Sequence, residues 1–79
     1  MIKFYYLPNC DPCEATKPRA IEAAELTHHD ILFINAQTRA PEDLASEGVT
    51  VAPTISNGIR TIKGEQTVER LVRFFQEAS

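Results

Sequence analysis

Apolar positions in this chain fall into short blocks separated by polar turns. The block at residues 2–7, Ile-Lys-Phe-Tyr-Tyr-Leu, is rich in aromatic and β-branched residues and is stopped by Pro8, so it predicts a first strand. Its nearly continuous apolar character predicts burial on both faces, as in a parallel sheet. Residues 11–27 predict a helix. Pro12 suits its first turn, where an N–H has no partner to lose. Ile21 and Leu26, with Ala15, Ala20, Ala23 and Ala24, are expected to face the core, and Glu14, Glu22 and Glu25 the solvent. Pro18 should kink this helix rather than end it, because good helix formers continue past it. Residues 27–30 are a polar turn, and residues 31–35 predict a second strand, again buried. Strand, helix and strand at this spacing predict a parallel βαβ unit.

The second half of the chain is more finely divided. Residues 35–39 read as a polar loop. Residues 41–47 predict a short helix with proline at its start, acids in its first turn and Gly48 as its stop. Residues 54–56 and 59–62 predict two strands joined by a two-residue Asn57-Gly58 turn, which makes them antiparallel. Residues 63–66 form a loop. Thr67 should cap a last helix from 68 to about 77, with Val68, Leu71, Val72 and Phe75 on its apolar face. Phe74, beside Phe75, is expected to be partly exposed. The order βαβαββα predicts an α/β fold with a four-stranded mixed sheet flanked by three helices.

Composition narrows the class. The 79 residues form one domain, expected to span 1–79, and 43% are hydrophobic, enough for a core. Net charge is −3 and no basic cluster occurs, which argues against a nucleic-acid partner. No apolar run is long enough to span a bilayer, and residues 1–3 lead straight into the strand pattern without a signal-peptide signature. A cytoplasmic, reducing compartment is expected, and a monomer.

The chemistry concentrates at Asn9-Cys10-Asp11-Pro12-Cys13, which holds both cysteines of the chain in a C-x-x-C spacing at the joint of the first strand and helix. Two thiols at that spacing can close a small ring. At a helix start, unpaired N–H groups and the positive end of the dipole favour a thiolate, the reactive form. In a reducing compartment such a pair is more often catalytic or metal-binding than structural. Zinc wants four ligands, and the other soft candidates, His28 and His29, lie roughly 22 Å away at about 1.5 Å per residue. No metal site is therefore expected, and the two histidines read as turn residues. Lys17, one turn past Cys13, can raise the local potential, grip a substrate carboxylate, or simply be solvated. Asp11 disfavours a thiolate at Cys10 and should make the pair more reducing, nearer roughly −270 mV than roughly −180 mV. An exposed apolar patch of Pro8, Pro12 and Pro53 beside Cys10 is the expected docking place for a protein partner.

The element order, the C-x-x-C position and Val51-Ala52-Pro53-Thr54 before the third strand together resemble the thioredoxin superfamily. More narrowly, they resemble the glutaredoxins and the glutaredoxin-like redoxins that reduce ribonucleotide reductase. Cys13-Glu14-Ala15-Thr16-Lys17 is similar to the redoxins' post-cysteine run, and Pro18 to the thioredoxins' kinking proline. Asn9 stands where thioredoxins carry tryptophan, and Phe4 where they carry a buried acid.

The resemblance implies a thioredoxin-like fold with Cys10 as nucleophile, Cys13 as resolving thiol and Pro53 as a cis proline opposite them. It implies that Ala52 pairs through its backbone with a bound peptide or glutathione, and it extends the substrate-binding set to Pro12, Lys17 and Gly64. The expected function is a thiol–disulfide oxidoreductase without a bound cofactor, donating electrons to protein disulfides, with ribonucleotide reductase the substrate that the resemblance suggests. A thioredoxin reductase or glutathione would recharge it. The alternatives are a glutathione-dependent glutaredoxin and a non-catalytic binding module whose cysteines form a structural or metal clip.

Overall fold

The computed structural model describes residues 1–78; Ser79, the last residue of the expected domain, lies outside the described residues. Strand β1 (Ile2–Tyr6) leads into helix α1 (Asp11–Thr27) and strand β2 (Ile31–Asn35). A 3-10 turn (Ala36–Thr38) and helix α2 (Pro41–Ser46) follow. Strands β3 (Thr54–Ser56) and β4 (Thr61–Lys63) and helix α3 (Val68–Gln76) complete the chain. The sheet order is β2-β1-β3-β4. β1 pairs parallel with β2, and β3 lies antiparallel to both β1 and β4.

This order makes β1 a central strand, and Ile2, Phe4 and Tyr5 are buried from both faces as its apolar run predicts. The strand stops at Tyr6, leaving Leu7 outside it and exposed. β2 departs from expectation. It is an edge strand, only Ile34 of its five residues is buried, and Leu32 is exposed. A short apolar run does not reveal whether its outer neighbour is another strand or water.

Helices cover both faces. Against one face, Ala20, Ala23 and Ala24 of α1 join Leu71, Phe74 and Phe75 of α3 over Ile2, Phe4 and Ile55. On the other, Tyr5, Ile34 and Val49 pack with Leu44 of α2. The buried stripe of α1 is Cys13, Thr16, Ala20, Ala23 and Ala24, whereas Ile21 and Leu26 are 40% and 61% exposed. Ala20, Ala23 and Ala24 thus face inward as expected, Ala15 is half-buried, and the expected places of Ile21 and Leu26 are corrected. α3 packs directly on α1, and alanines let two helices approach while the bulk comes from the aromatic rings of α3 and β1. α1 runs on past Pro18 to Thr27, where His28 closes it in the left-handed region at φ 58°.

The hairpin also differs. Ser56 pairs with Thr61, so the loop holds residues 57–60 rather than two, and β4 starts two residues later than predicted. Asn57 serves the loop through its side chain. Its Oδ1 accepts the N–H groups of Ile59 and Arg60 at 2.9 and 3.0 Å, an Asx-type turn. Phe74 is buried, not partly exposed: the Arg60 guanidinium lies 5.0 Å over its ring and pairs with Glu77 at 2.7 Å. Under that cover Phe74 joins Phe75 in the same core cluster.

Candidate active site

Pro8 and Asn9 turn the chain from β1 into α1, and Asn9 takes a left-handed conformation at φ 57° that asparagine tolerates. Cys10 follows as the N-cap of α1 in extended geometry. Its carbonyl accepts the Glu14 N–H at 3.0 Å, and its Sγ accepts the Cys13 N–H at 3.3 Å. A sulfur thus fills the place usually taken by a capping oxygen. Pro12, inside the first turn, has no N–H to lose and is exposed.

Cys10 and Cys13 are joined by a disulfide with their Cα atoms 5.2 Å apart. The two sulfurs are not equivalent. Cys10 is half-buried at the helix tip, whereas Cys13 is 3% exposed, one turn deeper. Only the first is placed for attack by or on an outside group.

The segment before β3 comes up against this tip. The Ala52 carbonyl oxygen lies 3.9 Å from Cys10 Sγ, and the Ala52–Pro53 bond is cis. The Thr54 hydroxyl donates to the Val51 carbonyl at 2.6 Å, and the Gly64 N–H donates to the Pro53 carbonyl at 2.9 Å. Gly64, at φ +83°, takes a backbone conformation that side chains disfavour, and its amide is committed to holding Pro53. Lys17 is exposed and lies 5.5 and 5.1 Å above the rings of Tyr6 and Phe33. The structure therefore brings Cys10, Cys13 and Ala52 together, with Pro53 immediately behind, and places Gly64 as a support.

The expected proline patch is corrected, because Pro53 is buried. Pro8 and Pro12 remain exposed, and a separate apolar surface lies beside Ala52. A groove of about 380 Å³ runs between the residues before β3 and α2, lined by Leu7, Pro41, Leu44, Val51 and Ala52 among others. Leu7 and Val51 are 40% and 50% exposed. Ala52 belongs to both the groove and the sulfur contact.

Two supports escaped the sequence reading. Arg19 donates to Gln66 O and pairs with Glu65, both at 3.0 Å, tying α1 to the loop that carries Gly64. The buried Tyr5 hydroxyl donates to Glu47 at 2.7 Å at the end of α2. Burial, reinforced by that carboxylate, pushes the Tyr5 phenol up to about 12. Neither partnership has a local signal, since each joins residues more than 40 positions apart. His28 is exposed, and His29 sits with Nδ1 2.9 Å from Thr27 Oγ1 and its ring against Phe75. Among the described residues no three His, Cys, Asp or Glu side chains gather as a metal site, and no helix is long and apolar enough to cross a membrane.

The chain's backbone is similar to that of thioredoxin f2 from Chlamydomonas reinhardtii, with a TM-score of 0.76. The fold is thioredoxin-like. The match covers 96% of this chain and 75% of the thioredoxin at 17% sequence identity. No family model matches the chain, and no curated protein matches it. The likeness concerns the fold.

Proposed function

We propose that this chain is a thiol–disulfide oxidoreductase that reduces protein disulfides. The observation that carries this reading is the inequality of the two sulfurs: Cys10 caps the helix at the surface and Cys13 is buried one turn behind it. The Cys10 thiolate attacks one sulfur of a substrate disulfide. The substrate S–S bond breaks, a Cys10–substrate bond forms, and the first substrate sulfur leaves as a thiolate. Cys13, as thiolate, then attacks Cys10 Sγ, closes the internal disulfide and expels the second substrate sulfur. The substrate gains two electrons and two protons, and this chain loses them. Holding Cys13 one turn from Cys10 makes the second step intramolecular.

The Cys13 N–H already points at Cys10 Sγ and would stabilise its thiolate. A substrate peptide would lie along Val51 and Ala52 with apolar side chains in the adjoining groove. Ribonucleotide reductase is the substrate class suggested by the redoxin-like residues 13–17. A flavoprotein thioredoxin reductase is the proposed electron source and glutathione the alternative, tested by which of the two sustains turnover. Because the Gly64 amide is occupied by Pro53, it supplies no free donor for a glutathione carboxylate.

Insulin-disulfide reduction tests the central claim. Cys10→Ser should abolish it, and Cys13→Ser should trap a mixed disulfide. Normal turnover by Cys10→Ser would refute the assignment.

A further inference from the structure

Two threonines are fully buried, Thr16 and Thr54. Thr54 donates its hydroxyl to a carbonyl, but the Thr16 Oγ1 has no hydrogen-bond partner among the described residues. A buried, unpaired hydroxyl is a cost that folded proteins rarely keep without a use. A helical threonine normally has a remedy close by, since its hydroxyl can bond the carbonyl three or four residues earlier. Thr27 on this same helix does so, reaching Ala23 O at 2.8 Å. Thr16 does not.

Its position suggests what the hydroxyl is kept for. Thr16 stands three residues after Cys13, and both lie on the buried stripe of α1. Residues at that spacing are neighbours, with Cβ atoms about 5–6 Å apart. A helical side chain also leans toward the N-terminus, so Thr16 covers the turn that carries Cys13. With the disulfide closed, the Cys13 sulfur is bonded and uncharged, a weak acceptor. When a dithiol reductant delivers two electrons, the Sγ–Sγ bond breaks, the reductant becomes a disulfide, and Cys13 gains the capacity to hold a negative charge. Burial disfavours that charge.

The charged groups nearby leave it unpaired. Asp11 and Glu14 of α1 are exposed and of the wrong sign; Lys17 rests over Tyr6 and Phe33; Arg19 is engaged with Glu65 and Gln66. The Ala52–Thr54 segment brings no charge, and Lys63 on β4 reaches outward to Thr50.

We propose that the Thr16 hydroxyl is the internal hydrogen-bond donor to the Cys13 thiolate, unpaired in the disulfide form and satisfied on reduction. Thr16 is thus a positioning residue that favours the reduced state and readies Cys13 to resolve the mixed disulfide. The inference rests on the dithiol reading above, but its test needs no substrate protein. Thr16→Val keeps the shape and removes the hydroxyl; Thr16→Ser keeps the hydroxyl. Equilibration with reduced and oxidised glutathione at a pH above the Cys13 pKa, read by alkylation, should show Thr16→Val shifted about tenfold toward the disulfide, about 30 mV more reducing. In the Cys10→Ser background, absorbance of the thiolate should show the Cys13 pKa about one unit higher with Thr16→Val. Thr16→Ser should restore both values. Unchanged values in Thr16→Val, or equal shifts in both variants, would overturn the proposal, even if insulin is reduced normally. Failure to reduce insulin with the expected Thr16→Val shifts intact would instead count against the oxidoreductase reading.

Discussion

The buried side-chain amide of Asn57 donates to the backbone carbonyl of Phe74 at 2.8 Å, so the hairpin loop is fastened to the last turn of α3. The same side chain accepts two loop N–H groups through Oδ1. One residue therefore closes the β3–β4 loop and holds it over the Phe74 ring.

Asn57→Ala should cost about 2 kcal/mol, because it removes one of the two donors to the Phe74 carbonyl, the Glu77 N–H being the other, and leaves two loop amides without their partner. In urea denaturation the midpoint should fall, and thermal melting should drop by roughly 8–16 °C. The loop lies at the end of β3 away from Pro53, so the specific activity of the folded protein should not change.

The inner face of α1 is defined by small side chains. Ala23→Leu should destabilise by about 1–3 kcal/mol, since Ala23 has no exposed surface and α3 leaves no room. Leu26→Lys, at a 61% exposed position, should stay within about 0.5 kcal/mol of the parent. Reversed costs in chemical denaturation would restore the stripe read from Ile21 and Leu26.

Tyr5 provides a pH signature. Its folded pKa of about 12 lies above the ordinary value of 10.0, so the folded state holds the phenolic proton more tightly than the unfolded chain. The stabilisation is fully present below pH 10 and is lost as the pH rises toward 12. Stability measured across that window should fall, and Tyr5→Phe should flatten the decline. An ultraviolet titration should show one phenol ionising late in the parent and absent in the variant.

Asp11 sits beside the nucleophile and opposes its charge. Asp11→Asn should stabilise the Cys10 thiolate and move the potential in the oxidising direction, by roughly 10–20 mV for a few-fold change in equilibrium constant. The difference should shrink at high salt, because both groups reach solvent. A more reducing variant would contradict this electrostatic account.

The groove separates recognition from sulfur chemistry. Val51→Glu should raise KM for insulin several-fold by placing a charge on the apolar wall next to Ala52. The rate at which Cys10 reacts with a small aromatic disulfide should change less than twofold. An unchanged KM would place protein docking elsewhere.

The local signals in the chain were enough for the α/β element order, for α1 from 11 to 27 and for the cysteine pair at its tip. Periodicity, proline at helix starts and the Cys10–Cys13 spacing act over a few residues, and the backbone obeys them wherever the element is placed. What neighbours an element is another matter. That β2 is an edge strand, that Ile21 and Leu26 reach solvent while the alanines beside them pack, and that Phe74 is covered by Arg60 were settled by packing between distant segments. The same holds at the site. The sequence could place a sulfur at a helix start, but only the folded chain brings Ala52 to it, pins Pro53 with Gly64 and leaves the buried Thr16 hydroxyl, three residues after Cys13, unpaired. Burial and hydrogen bonding between residues 42 or 47 positions apart depend on which surfaces meet, and no stretch of sequence carries that by itself.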